Sequence, residues 1–196
     1  MFASGDLTKL VADFSASDDF EFRMALLRDH PRHRAVLQLA AEKAGWGKPL
    51  PEGHFHGIAV HESFSSYVAQ VAEVAQNPDG KFRIVKITCA VDCGVAVNPD
   101  VIKAQMAGGI GYGLSPLMFS EITVEKGRVQ EANFDRYRVL RMNEMPAIDV
   151  HIVPSGEAPT GVGEPGTPVG PPAVANAIFA ATGKRIRQLP ATEFFA

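Results

Sequence analysis

The chain has 196 residues, 46% of them hydrophobic, which is typical of a single globular domain. Its 19 Lys and Arg residues against 22 Asp and Glu residues give a net charge of −3, so there is no basic field to indicate a nucleic-acid partner. No apolar run is long enough to cross a bilayer, and the first residues lack the features of a signal peptide, so the cytoplasm is the default expectation. The two cysteines, Cys89 and Cys93, exclude a disulfide framework and supply only half of a tetrahedral zinc site. We expect them to be small buried residues on one face of a strand.

Two helices are predicted near the start of the chain. Residues 1–18 are polar and small with little periodicity, and we leave them unassigned. Residues 18–30 place apolar side chains at helical spacing behind acidic residues in the first turn. The next segment opens at Pro31, has an amphipathic pattern and ends at Gly45, which predicts a second helix that packs on a sheet.

Three β-branched runs follow, over residues 55–64, 65–76 and 82–94. The last two are joined by Asn-Pro-Asp-Gly-Lys, in which Asp79-Gly80 suits a tight hairpin. The pattern therefore predicts an antiparallel meander.

A glycine-rich helix is predicted after the meander. Asn98 is a good N-cap and is followed by proline, and the helical periodicity continues through residue 119. Four glycines interrupt this helix, namely Gly108, Gly109, Gly111 and Gly113. Glycine at that density indicates close approach of another group.

The rest of the chain completes a prediction of an α+β fold, an antiparallel sheet with flanking helices. A hairpin turns at Gly127, residues 147–155 alternate like a half-buried strand, and a final helix runs from the prolines at 171 and 172 to Gly183. Such an order of strands and helices suits a sheet covered by helices.

Two patterns suggest ligand binding at first sight. His54 and His56 are two apart on a strand with Glu62 nearby, like the HxH segment of cupins, but the spacing to the acid is one residue longer and no later histidine segment completes the set. We therefore expect exposed histidines at a strand entry and no metal site. The glycines in "GGIGYG" lie within a helix, whereas a dinucleotide fingerprint lies between a strand and a helix. Two interpretations stay open there: helix-to-backbone packing, or a cofactor role in which Gln105 presents its amide to a heterocycle.

The loop "GVGEPGTPVGPP", residues 161–172, carries a single acid, Glu164. Its glycines and prolines make a stiff scaffold, and the following helix presents free backbone amides. A carboxylate held in a defined position can serve as a general base, although a solvated turn glutamate is the commoner explanation of a loop acid.

Four segments together resemble a known family: residues 90–100, 104–114, 140–155 and 161–190. They look like the C-terminal part of the molybdenum-binding subunit of xanthine dehydrogenase/aldehyde oxidase family hydroxylases. Residues 29–51 and 57–74 are closest to the isoquinoline 1-oxidoreductase beta-subunit branch of that family. The resemblance extends from about residue 19 to residue 190.

This resemblance implies a chemistry for Glu164, which falls on the family's catalytic glutamate. In the family this acid takes the proton from a molybdenum-bound hydroxyl that attacks an electron-poor carbon of a heterocycle or aldehyde. The cofactor is molybdopterin with molybdenum, expected in the cytosine dinucleotide form, and it supplies the metal's ligands, so no protein metal ligands are needed. Gln105 matches a glutamine beside the pterin. Gly108 and Gly109 would allow close approach of the cofactor, and the backbone amides of Gly161, Val162 and Gly163 would meet it.

The resemblance also implies partners, because a molybdenum subunit of this family is several times longer than this chain. We expect the remaining part of that subunit, an iron–sulfur subunit that carries electrons away, and a small-molecule substrate. Residues 19–196 would then be a C-terminal molybdenum-cofactor-binding domain, as a fragment or a split subunit, exported to the periplasm if a partner carries a signal. The alternative is a non-catalytic structural or binding module, or an inactive remnant of such a subunit.

Overall fold

A computed structural model describes residues 19–195, so the unassigned segment 1–18 lies outside the described residues. The helices in this range are α1 (Asp19–Leu26), α2 (Pro31–Ala44), α3 (Pro99–Met118) and α4 (Gly170–Thr182), with a 3-10 turn at Met142–Glu144. The strands are β1 (His54–Ser63), β2 (Ser66–Gln76), β3 (Phe82–Asp92), β4 (Val124–Glu125), β5 (Arg128–Val129) and β6 (Ala147–Ile152). Every predicted helix and strand is therefore present, and β4 and β5 are the hairpin around Gly127.

The main sheet has the order β1-β2-β3-β6 and is mixed. The first three strands form the predicted antiparallel meander, whereas β6 pairs parallel to β3, with Lys86 opposite Ala147. The expectation of an antiparallel sheet therefore needs correction at its fourth strand. After β3 the chain passes through α3 and the following segment and then enters β6 at the opposite end of the sheet. Such a long connection permits parallel pairing.

Helices cover both faces of this sheet. On one face α2 buries Leu37 and Ala40 against Val71 of the central strand β2. On the other face α3 and α4 share a larger core with the sheet, to which Val68 of β2 and Ile110 of α3 belong. Because β2 is buried on both faces, its apolar residues run almost without interruption.

Local sequence signals fix the helix ends. The Asn98 Oδ1 atom accepts a hydrogen bond of 3.2 Å from the Val101 N–H and so caps α3. Gly45 ends α2 with φ of 70°, a left-handed conformation that glycine adopts without steric cost. No helix within residues 19–195 is both long enough and apolar enough to cross a membrane.

Candidate functional site

Glu164 lies on a long loop between β6 and α4. In space, this loop runs alongside the C-terminal end of β3. Three backbone hydrogen bonds of 2.8–2.9 Å join the loop to this strand end: Val153 N–H to Val91 O, Val95 N–H to Glu157 O, and Thr160 N–H to Cys93 O. The loop therefore enters the site along a fixed path.

Two buried polar side chains of β2 hold the loop on either side of Glu164. The Ser66 hydroxyl donates to the Gly161 carbonyl oxygen at 2.7 Å, and the Gln70 amide nitrogen donates to the Gly166 carbonyl oxygen at 2.9 Å. Both side chains are fully buried. Because they are four residues apart on a strand, they point to the same face. Neither residue was predicted for the site from the sequence, although each is a polar residue on an otherwise apolar strand face, and this pattern is a signal for such a role.

The glycines of α3 form the surface on which the loop rests. A Cβ atom at Gly113 would lie 2.2 Å from the Thr167 carbonyl oxygen, and one at Gly109 would lie 3.2 Å from the Thr167 hydroxyl. Gly111 approaches Met145, whereas a Cβ at Gly108 would meet nothing within 4 Å. Helix-to-backbone packing therefore explains Gly109 and Gly113, contact with the Met145 side chain explains Gly111, and Gly108 remains open.

A cavity of about 680 Å³ lies between α3, this loop and the turn that joins β1 to β2. Five of the residues predicted for the site line it, namely Glu164, Gln105, Gly108, Gly109 and Gly163. Ser63, Phe64, Tyr112, Thr167 and Pro168 complete the lining. Gly161 and Val162 belong to the same loop but do not line the cavity: the Ser66 bond holds Gly161, and Val162 packs against the core.

The Glu164 carboxylate is exposed and has no competing partner. Its backbone carbonyl accepts a hydrogen bond of 2.8 Å from the Thr167 N–H, which closes a turn around it. The side chain forms no hydrogen bond or ion pair with any other residue of the 19–195 range. Gln105 is also exposed, and its amide has no partner among the same residues. Both polar groups are thus available to a ligand in the cavity.

A buried ion pair fixes the strand end beneath the loop. Asp92 is only 3% exposed and accepts hydrogen bonds from Arg32 Nε at 2.7 Å and Arg32 Nη2 at 2.8 Å. The Gly94 N–H also donates to Asp92, and the Arg32 guanidinium lies 4.3 Å from the centre of the Tyr67 ring. The hydrogen bonds from Arg32 hold the pKa of Asp92 below its ordinary value.

The histidines of β1 form a polar cluster at the far end of that strand. His54 Nδ1 lies 2.6 Å from Glu73 Oε1, and the His56 ring stacks on Trp46 at 5.8 Å between centroids. Both histidines are half-buried, so the expectation of exposed histidines is wrong, and burial lowers the pKa of His56. Glu62 lies beside His33 instead, 3.7 Å away. Within residues 19–195 no group of three or more potential ligands is arranged to hold a metal ion.

The two cysteines are free and buried, as predicted, but only Cys89 lies on a strand, because β3 ends at Asp92. Burial raises the pKa of the Cys89 thiol to about 12, and it also raises the pKa of Cys93. Burial that keeps a thiol protonated is typical of structural cysteines.

Comparison with known proteins connects this geometry to a family. The sequence model described as molybdopterin cofactor-binding domain matches residues 9–146. The chain belongs to this family. The resemblance read from the sequence motifs is therefore confirmed, although the matched range stops before the loop that carries Glu164.

Curated relatives extend the match over nearly the whole chain. The isoquinoline 1-oxidoreductase subunit beta of Brevundimonas diminuta is 36% identical over 193 residues, which cover 96% of this chain and 25% of the relative. A membrane-bound aldehyde dehydrogenase of Gluconacetobacter polyoxogenes is 34% identical over 92% of this chain and 26% of its own length. The chain thus spans about a quarter of the length of these relatives.

Solved structures support the fold. Quinoline 2-oxidoreductase from Pseudomonas putida 86 superposes with a TM-score of 0.58 at 20% identity, over 64% of this chain and 17% of that one. The mixed α+β architecture is therefore one that part of this oxidoreductase shares.

The residues of the cavity fit a molybdopterin group. The volume of the cavity is in the range of cofactor and ligand pockets. The space in front of Gly108 is empty, since a Cβ built there meets no protein atom within 4 Å. A flat ring can therefore approach the helix backbone closely at this position. The unpaired amide of Gln105 offers both a donor and an acceptor to the nitrogen and oxygen atoms of a heterocycle.

Proposed function

We propose that this chain is a component of a molybdenum hydroxylase that oxidises an N-heterocycle or an aldehyde with water-derived oxygen, with Glu164 as the general base. One observation carries the proposal. The unpaired Glu164 carboxylate lines the same cavity as the Gln105 amide and the open backbone at Gly108. The names of the relatives, an isoquinoline oxidoreductase and an aldehyde dehydrogenase, support the substrate classes.

Residues of this chain would hold the cofactor from one side. Gln105 would donate to the pterin, Gly108 and Gly109 would let it approach α3, and the backbone amide of Gly163, the one residue of 161–163 that lines the cavity, would meet its polar edge. We infer the cytosine dinucleotide form of molybdopterin. When bound, the molybdenum group supplies the redox chemistry and accepts the two electrons of the oxidation.

Glu164 would take a proton from the water-derived oxygen as that oxygen attacks the substrate carbon. A carboxylate without a competing ion pair is free to accept this proton, and a defined position is the first requirement of a general base. Ser66 and Gln70 supply that position through the Gly161 and Gly166 carbonyl groups.

The exposed cavity needs partners to complete it. We infer that the remaining part of the molybdenum subunit covers the cavity and forms most of the substrate pocket, and that an iron–sulfur subunit accepts the electrons. The complex would work in the cytoplasm, or in the periplasm if a partner carries the export signal.

The test is the substitution Glu164→Gln in the chain co-expressed with the missing part of the subunit and the iron–sulfur subunit. The change keeps the shape of the side chain and removes the base, so we expect turnover to fall by about 10²-fold or more while molybdenum and pterin content stay unchanged. Glu157→Gln, an exposed glutamate on the same loop, is the matched control and should keep full activity. Unchanged turnover in Glu164→Gln would exclude the role of base.

A further inference from the structure

The turn between β1 and β2 has an unusual residue in a demanding position. Ser63 pairs with Ser66, so Phe64 and Ser65 alone make the turn, with φ of 52° and 58°. Two-residue turns with positive φ at both positions favour Asn-Gly, and a bulky aromatic residue in this region is rare because its Cβ clashes with the backbone. A residue that conflicts with its local backbone suggests a function for its side chain.

The Phe64 ring is presented to the cavity that contains Glu164. The side chain is 63% exposed and lines this cavity. A Cβ at Gly161 would lie 3.7 Å from the Phe64 Cβ, and the neighbouring Ser66 donates its hydrogen bond to the Gly161 carbonyl. The turn therefore lies against the loop that carries Glu164, and the Phe64 side chain lines the same cavity as the Glu164 carboxylate.

A second aromatic ring lines the same cavity from α3. Tyr112 is seven residues after Gln105, two helical turns along the same face, and is 78% exposed. Of the exposed large hydrophobic side chains in the described part of the chain, Phe64 and Tyr112 are the ones that line this cavity. Both rings are exposed to water beside the polar groups of Gln105 and Glu164. A flat ligand that covered them would gain the free energy of burying this apolar surface.

We propose that Phe64 and Tyr112 form a binding site for a planar aromatic heterocycle in the Glu164 cavity. The identity of that ring rests on the proposed function, under which it is either the N-heterocyclic substrate or the pterin. Aromatic side chains favour flat ligands through offset or edge-to-face contacts, so the site discriminates against saturated rings of the same size.

The first experiment uses the chain alone and quinoline as the probe. Titration followed by amide NMR should show shifts at Gly108, Gly163 and Ser65, whereas cyclohexanol, which is not planar, should bind more weakly. Phe64→Asn and Tyr112→Leu should each weaken quinoline binding by about two- to tenfold. Phe134→Asn is the matched control, because this phenylalanine is 92% exposed and does not line the cavity.

A stability measurement separates loss of binding from loss of folding. Asparagine suits the positive φ at residue 64, so Phe64→Asn should raise the midpoint of thermal unfolding by about 2–4 °C while it weakens binding. Absence of quinoline binding to the unmodified chain, or equal affinity in all three variants, would overturn the proposal.

The assembled enzyme then identifies the ring. If the ring is the substrate, Phe64→Asn raises KM for the heterocycle and leaves the pterin content unchanged. If the ring is the pterin, the same variant loses pterin. Glu164→Gln should bind quinoline like the unmodified chain, so the failure of this site and the failure of Glu164 as the base are separate results.

Discussion

Gln70 illustrates how single residues hold the site together. It lies on the central strand, is fully buried, and donates its amide hydrogen to the Gly166 carbonyl at 2.9 Å. The Ser66 hydroxyl likewise donates a hydrogen bond of 2.7 Å to the Gly161 carbonyl. Gly166 is buried, so its carbonyl group would be costly to leave without a partner. The two bonds attach the loop to β2 on either side of Glu164.

Replacing Gln70 tests this anchor. In Gln70→Leu the Gly166 carbonyl loses its donor, so we expect the free energy of unfolding to fall by about 1–3 kcal/mol in urea titrations. Backbone amides of residues 161–167 should also exchange hydrogen faster. Gln76→Leu, at the exposed end of the same strand, should change stability by less than about 0.5 kcal/mol. Equal effects of the two substitutions would contradict the assigned role of Gln70.

The ion pair between Arg32 and Asp92 makes a prediction about pH. The pKa of Asp92 is lower in the folded chain, so the pair stabilises the fold above the unfolded value of about 4 and this stabilisation is lost as the pH falls through the folded value. Asp92→Asn should therefore cost about 1–3 kcal/mol at pH 7.

The measurement for Asp92 is urea unfolding at a series of pH values. The difference between the unmodified chain and Asp92→Asn should narrow as the pH is lowered below about 4. Asp135→Asn, at an exposed position, serves as control. A difference that does not depend on pH would show that the charge of Asp92 contributes nothing.

At the scale of elements, α3 acts as the support of the loop. Gly113 packs on Thr167, Gly108 and Gln105 line the cavity, and Gly109 does both. The same helix therefore has one surface of glycines that contacts the Glu164 loop and, beside it, a second surface that lines the cavity. The sequence predicted the helix and the close approach, but helical periodicity alone gives no information on which segment approaches it.

Two glycine substitutions separate these surfaces. Gly113→Ala puts a Cβ 2.2 Å from the Thr167 carbonyl oxygen, so we expect a loss of about 1–3 kcal/mol and shifted NMR signals in residues 163–168. Gly108→Ala meets no atom within 4 Å and should stabilise the helix by about 0.5–1 kcal/mol, because alanine loses less entropy on folding. Similar unfolding free energies for the two variants would contradict the close contact with the loop.

At the scale of the molecule, the site forms where the ends of several elements meet. The sheet carries helices on both faces, and the cavity opens where the β1–β2 turn, α3 and the Glu164 loop converge. Large apolar side chains also lie exposed on the segment after α3, including Ile122, Phe134 and Met142. An exposed cavity beside exposed apolar residues fits the proposed association with the rest of a molybdenum subunit.

This arrangement predicts how molybdenum is bound. The chain alone contacts a ligand from one side, so after purification we expect it to be folded and to carry no molybdenum. The complex with the missing part of the subunit and the iron–sulfur subunit should contain one molybdenum per chain. Native mass spectrometry with metal analysis checks both statements. A full complement of molybdenum in the chain alone would contradict the need for partners.

The sequence by itself determined the elements and the family. Proline and glycine signals at Pro31, Gly45 and Gly183 fixed helix ends, because these residues act through the local backbone. The loop around Glu164 was recognisable for the same reason, since its glycines and prolines are neighbours in the chain.

Only the tertiary structure decided which distant residues meet. Contacts between residues far apart in the chain produce the parallel pairing of β6 and the anchoring of the loop by Ser66 and Gln70. They also bring Phe64 and Glu164 to the lining of one cavity. Local propensity carries no information on such contacts, because they form when strands and loops pack around a shared core.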